Sequence, residues 1–147
     1  MYVPIDTRKW FDRTQPQTLQ IATFLLYFNA FFALLALFEE RDYLGYLRER
    51  FGIGILLGLG VVAANVLGGF LMANERKLGY KLALVAAFAP FVLRFWAYSD
   101  IENRLGGSVS IWDKLTGNDT IGFIFEVALC ALLLHPQSRN HQRIWFK

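Results

Sequence analysis

Arg94 and Glu126 each stand inside an apolar run, LVAAFAPFVLRFWAY and IGFIFEVALCALLL, and together they are the chain's first candidate for chemistry. An ionisable group within a hydrocarbon layer is expensive, so it pairs, lines a path for ions or protons, or holds a ligand. The two match in depth: Glu126 is about 10 Å in from Asp119 and Arg94 about 9 Å in from Asp100 at the helical rise per residue. Each shares a stripe with small or compact groups, Arg94 with Ala83, Ala87 and Pro90, and Glu126 with Gly122 and Cys130, so both faces should point inward. This spacing predicts an ion pair joining the third and fourth apolar segments. As a structural clamp the pair offsets the insertion cost of each partner. As a proton- or ligand-linked site it lets Glu126 exchange its arginine for a substrate or take up a proton. Snorkelling to solvent would leave both groups unpaired.

Asn29 and Asn65 lie in the first two apolar segments at about 15 and 13 Å from one boundary, a match that predicts an interhelical hydrogen bond. Lining of an ion or substrate path is the alternative. Gly54-x-x-x-Gly58 and Gly68 mark a glycine-rich face for close helix packing, within the chain or between copies. They form no phosphate cradle, because no lysine and hydroxyl follow them. Phe24, Tyr27, Phe28, Phe31 and Phe32 supply bulk that lipid contact and packing explain, with a quinone or lipid-tail groove as the alternative. His135 and His141 fit no zinc spacing and read as titratable surface groups, and the single cysteine, Cys130, builds neither a disulfide framework nor a cysteine zinc site. No catalytic constellation, metal site or cofactor motif is expected. An enzyme is therefore the least favoured class; it would need Asp100, Glu102, Asp113 or the histidines to assemble a site. Asn118-Asp119-Thr120 matches a glycosylation pattern by chance.

The elements that must position these groups follow from composition. Of 147 residues 55% are hydrophobic and 18% charged, against roughly 45–50% and about 25% in soluble domains, and the apolar residues fall in long blocks. Segments 19–38 and 51–73 carry no charge and are long enough to cross a bilayer as helices. Segment 78–98 holds Lys81, Arg94 and Pro90, with a kink expected at the proline. Segment 118–135 is short, is stopped by Pro136, and could instead be re-entrant. The expected fold is all-α: an integral membrane protein of four transmembrane helices in an up-down bundle, one domain over residues 1–147. Residues 1–18 and 136–147 form interfacial cytoplasmic tails, with Trp10, Phe11, Trp145 and Phe146 at headgroup level. The polar first 18 residues lack the pattern of a cleaved signal, so the first apolar block is expected to stay as an anchor.

Charge sets the orientation. Arg8, Lys9, Arg13, Arg76, Lys77, Lys81, Arg139, Arg143 and Lys147 fall on the side of the tails, whereas Arg41, Arg48, Arg50, Arg104 and Lys114 fall opposite among many acids. The bias predicts N-in and C-in. It also explains the net charge of +3 without nucleic acid, for which no basic patch with its own fold exists. The expected role is a non-catalytic accessory, assembly or scaffolding subunit of a larger membrane complex, in a bacterial cytoplasmic membrane, with a protein partner or self-association through its transmembrane helices. The alternative is a small homo-oligomeric transporter, channel or lipid-handling protein using Arg94 and Glu126. The lipid bilayer is a partner in either case.

Overall fold

The fold was analysed in a computed structural model, which describes residues 4–40 and 42–147. Arg41, counted among the connection charges, and residues 1–3 of the N-terminal tail lie outside them. Helix accounts for 77% of the described residues and no strand occurs among them, so the fold is all-α. Among the described residues seven helices follow in order: α1 (Gln17–Phe38), α2 (Tyr43–Arg50), α3 (Gly54–Ala73), α4 (Lys77–Leu105), α5 (Ile111–Thr116), α6 (Thr120–Leu134) and α7 (Pro136–Trp145). α1, α3 and α4 are each long and apolar enough to cross a membrane, and α6 with α7, bent by 49° at their junction, is a candidate fourth span.

Local chemistry explains the breaks. Asp42, Ser110 and Asp119 cap α2, α5 and α6 by accepting from the amides of Leu44, Asp113 and Gly122 at 3.0, 3.1 and 3.0 Å. The His135 imidazole accepts from Gln137 N–H at 3.2 Å and caps α7, while Pro136 sits where its missing N–H costs nothing. α4 runs past the expected Tyr98 to Leu105 before Gly106, at φ 65°, ends it. Pro90 lies within α4 without ending it.

Two expected boundaries shift. The second apolar helix begins at Gly54 instead of residue 51, because α2 ends at an extended Phe51 and the chain then doubles back on α2. A side chain at Gly54 would overlap the Leu47 carbonyl, so only glycine allows that turn. The C-terminal stretch is a helix, and of its two aromatics only Trp145 is at the surface, 58% exposed. Phe146 is 3% exposed and belongs to the core. It is drawn inward because Lys147 exchanges two backbone hydrogen bonds with the α3–α4 turn, accepting from Lys77 N–H at 2.9 Å and donating to the Glu75 carbonyl at 2.8 Å.

That turn is a Schellman closure: Glu75 N–H donates to Met72 and Arg76 N–H to Leu71, with Glu75 in the left-handed region at φ 57°. It folds α3 back on α4 so closely that a methyl at Gly68 would meet the Ala83 backbone and one at Gly79 the Met72 and Leu71 backbone. Gly58 admits the Leu37 side chain from α1. The glycine face is thus filled from within the chain.

The core joins Leu19, Ala22 and Leu26 of α1, Met72 of α3, Ala83 of α4, and Leu129 and Leu133 of α6. It occupies the half of the molecule where both termini meet. Here Ser138 Oγ donates to the Leu132 carbonyl and accepts from Thr18 Oγ1, each at 2.7 Å, Tyr80 Oη donates to the Leu133 carbonyl at 2.5 Å, and Gln15 reaches the Met72 carbonyl at 2.7 Å. Asp12 belongs to this end too. Burial pushes its carboxyl up, but hydrogen bonds from Thr14 and Lys9 outweigh that and leave it below its usual range. At the opposite end Tyr46 Oη donates to Asp100 at 2.6 Å and Lys114 pairs with Glu102 at 2.6 Å, fastening α2 and α5 to α4.

Candidate functional site

The half of the molecule away from the termini is hollow. A cavity of about 550 Å³ opens between α1 and α6, with Phe28, Phe32 and Leu35 on one wall and Ile121 and Phe125 on the other. Phe28 and Phe125 approach across it to 6.3 Å between ring centroids. These aromatic and aliphatic groups are 41–71% exposed, so the opening faces sideways, toward whatever surrounds the helices.

The cavity is polar at its base. Arg94 and Glu126, expected to pair, do so in a two-pronged contact: Nη2 donates to Oε1 at 2.6 Å and Nη1 to Oε2 at 3.1 Å. Nη1 also donates to the Leu115 carbonyl, and the guanidinium lies 5.0 Å from the centroid of the Tyr43 ring. The side chains are 8% and 16% exposed, so the pair is largely desolvated. Planar, bidentate geometry of this kind is the strong form of a carboxylate contact. Burial pushes the Tyr43 phenol up, and the Arg94 guanidinium beside its ring opposes this.

Asn29 and Asn65 line the same cavity but are not bonded to each other. The expected interhelical hydrogen bond gives way to a local one: Asn65 Nδ2 donates to the Val61 carbonyl one turn back, at 2.9 Å. Equal depth fixed their level but not their direction, and an amide one turn above a carbonyl finds a partner without crossing between helices. The contact fixes the orientation of the Asn65 amide. Its Oδ1 is then left with no hydrogen-bond partner although the residue is only 2% exposed. Pro90 lacks the N–H that the Ala86 carbonyl would accept in a regular helix, and both residues also line the cavity.

Three further carboxylates line the cavity, and a reading confined to apolar segments missed them. Glu39, Asp42 and Asp119 sit in the connections, where charges look merely solvated; the caps that Asp42 and Asp119 form on α2 and α6 hold these two in place. Burial pushes the Asp42 carboxyl above its ordinary value, the Leu44 amide and Arg94 oppose this, and the charges of Glu39 and Asp119 add to it. A carboxyl raised on folding stabilises the fold fully below its unfolded value, and that contribution is lost as pH rises through the folded value. Asn caps a helix as well as Asp and carries no charge. Asp42→Asn should therefore raise the unfolding temperature at about pH 7, with the difference closing below about pH 4; thermal unfolding at the two pH values measures it.

The other candidates are accounted for structurally. Cys130 is buried with Sγ 3.5 Å from the Ala87 carbonyl, and His141 stacks on Trp145 with centroids 6.2 Å apart. Among the described residues no group of three His, Cys, Asp or Glu side chains is arranged to hold a metal ion. The arrangement at Arg94 and Glu126 can hold a polar head and can exchange hydrogen bonds with it. Compared with protein-family models, with curated proteins and with solved structures, the chain finds no match.

Proposed function

We propose that the chain is a membrane-embedded protein that binds a small amphiphile in the cavity between α1 and α6, as a lipid-handling or transport protein. The observation that carries this reading is the cavity itself, apolar on its flanks and charged at its base around the desolvated Arg94–Glu126 pair. A volume of about 550 Å³ lies within the range of small-molecule sites, about 300–1,000 Å³. Its sideways opening suits a ligand that arrives through the hydrocarbon layer, and its base suits a polar head that the layer itself would exclude.

In this reading four spans cross as an up-down bundle, with α6 the crossing part of the bent α6–α7 pair and α7 lying at the cytoplasmic surface. Both termini lie on the cytoplasmic side, supported by the basic residues of the two tails and of the α3–α4 turn. The cavity then opens within the outer half of the bilayer. Asn65 is about 16 Å along α3 from Gly54, so the base reaches toward mid-depth.

An accessory-subunit role draws less support. The glycines that would offer a close-packing face to another chain are occupied by Leu37, Ala83 and Leu47 of this one. Native mass spectrometry separates the two readings. Protein extracted gently from its host should retain one amphiphile per chain, and filling the cavity by Ala33→Trp should abolish retention; a foreign chain at fixed stoichiometry would favour the accessory role.

A further inference from the structure

We infer that the head of the bound amphiphile is a cationic amine with N–H bonds to donate. This rests on the cavity being a ligand site, and it specifies the ligand's chemistry. Two independent observations lead to it.

The first is charge. Among the described residues lining the cavity, Glu39, Asp42, Asp119 and Glu126 are acidic and Arg94 alone is basic. Arg94 already gives three of its five N–H groups to the two oxygens of Glu126 and the Leu115 carbonyl. An anionic head would compete with Glu126 for it in a cavity that holds three further carboxylates, Glu39, Asp42 and Asp119. A cation meets the opposite field, and the low-dielectric walls strengthen it. The acids do not converge as a metal-ligand set does, so an extended organic cation suits them better than a bare ion.

The second is hydrogen bonding. Asn65 Oδ1 is a buried acceptor without a donor, and its amide cannot turn to cure this without losing the bond to Val61. The Ala86 carbonyl lacks its helical donor because residue 90 is proline. Both residues line the cavity: Asn65 Oδ1 calls for a donor, and the Ala86 carbonyl is without the one a regular helix supplies. A primary ammonium supplies three, whereas a quaternary ammonium has the same charge and none. A site with unpaired acceptors discriminates against a ligand that leaves them unpaired.

The test is a binding series on the full-length protein in nanodiscs of neutral lipid, using probes with one alkyl chain length: a primary alkylamine, the alkyltrimethylammonium, the alkyl sulfate and the uncharged alkyl glycoside. An aminophospholipid in the disc distinguishes a lipid amine from a free one by competing with the alkylamine. The primary amine should bind about tenfold more tightly than its trimethyl analogue, the worth of one buried hydrogen bond, and both should bind more tightly than the sulfate. Asn65→Ala should abolish the preference for the primary amine while the preference for cations remains. The wild-type series stands on its own should that variant fail to fold. Equal binding of amine, sulfate and glycoside would overturn the amine inference while keeping the amphiphile site. Binding of none of the probes, or binding that Ala33→Trp leaves unchanged, would overturn the site as well.

Discussion

Glu126→Leu should lower the stability of the folded chain by about 3–5 kcal/mol, the cost of stranding one member of a buried ion pair. Arg94 cannot relieve the loss by discharging, since a guanidinium keeps its proton at any working pH. Its Nη1 would keep the Leu115 carbonyl, but Nη2 would have no acceptor. Arg94→Leu should cost less, because the Glu126 left behind can take up a proton and become neutral. The double variant should recover most of the stability lost by Glu126→Leu, as apolar replacement of a whole buried pair is often neutral. Reversible unfolding of all four proteins in one detergent measures the coupling. Additive losses would mean that the 2.6 Å contact contributes nothing to the fold.

Gly79→Ala should be strongly damaging for a single added methyl. Its Cβ would fall on the Met72 amide nitrogen and the Leu71 carbonyl carbon, backbone atoms of a facing helix that cannot swing aside. Overpacking of this kind costs about 1–3 kcal/mol, and we place it at the upper limit because α3 and α4 must separate along the hairpin that the Glu75 turn sets. Gly60→Ala is the control. It meets nothing within 4 Å, so it should stabilise α3 by about 0.5–1 kcal/mol through helix propensity alone. Thermal midpoints that move in opposite directions for the two variants are the expected result. A similar small shift in both would show that α3 and α4 are not in close contact.

Much of the helix pattern was legible because a bilayer makes apolar length so strong a signal. The Arg94–Glu126 contact was legible for the same reason: two costly charges at one depth, on small-residue faces, have few ways to be satisfied. Asn29 and Asn65 met the same depth criterion and did not bond, because the Asn65 amide N–H finds an acceptor one turn back on its own helix. Phe146 was misplaced by its neighbours. Arg143, Trp145 and Lys147 are surface groups, and nothing in that sequence announces the two backbone bonds of Lys147 that turn the ring inward. The cavity itself was not legible. It lies beyond the shared core, in which Leu129 and Leu133 of α6 join Leu19, Ala22 and Leu26 of α1, and between the remaining parts of the two helices. Sequence names the residues of such a space but not the gap between them, which is why Glu39, Asp42 and Asp119 looked like ordinary connection charges.

The central claim is occupancy of that gap. Native mass spectrometry should be run on wild type and Ala33→Trp, both extracted from host membranes in mild detergent and verified as folded by their unfolding temperatures. The account predicts one amphiphile retained per wild-type chain, of a mass that collisional release identifies as amine-bearing, and none on the filled variant. Retention of the same molecule by both proteins, or by neither, would contradict it.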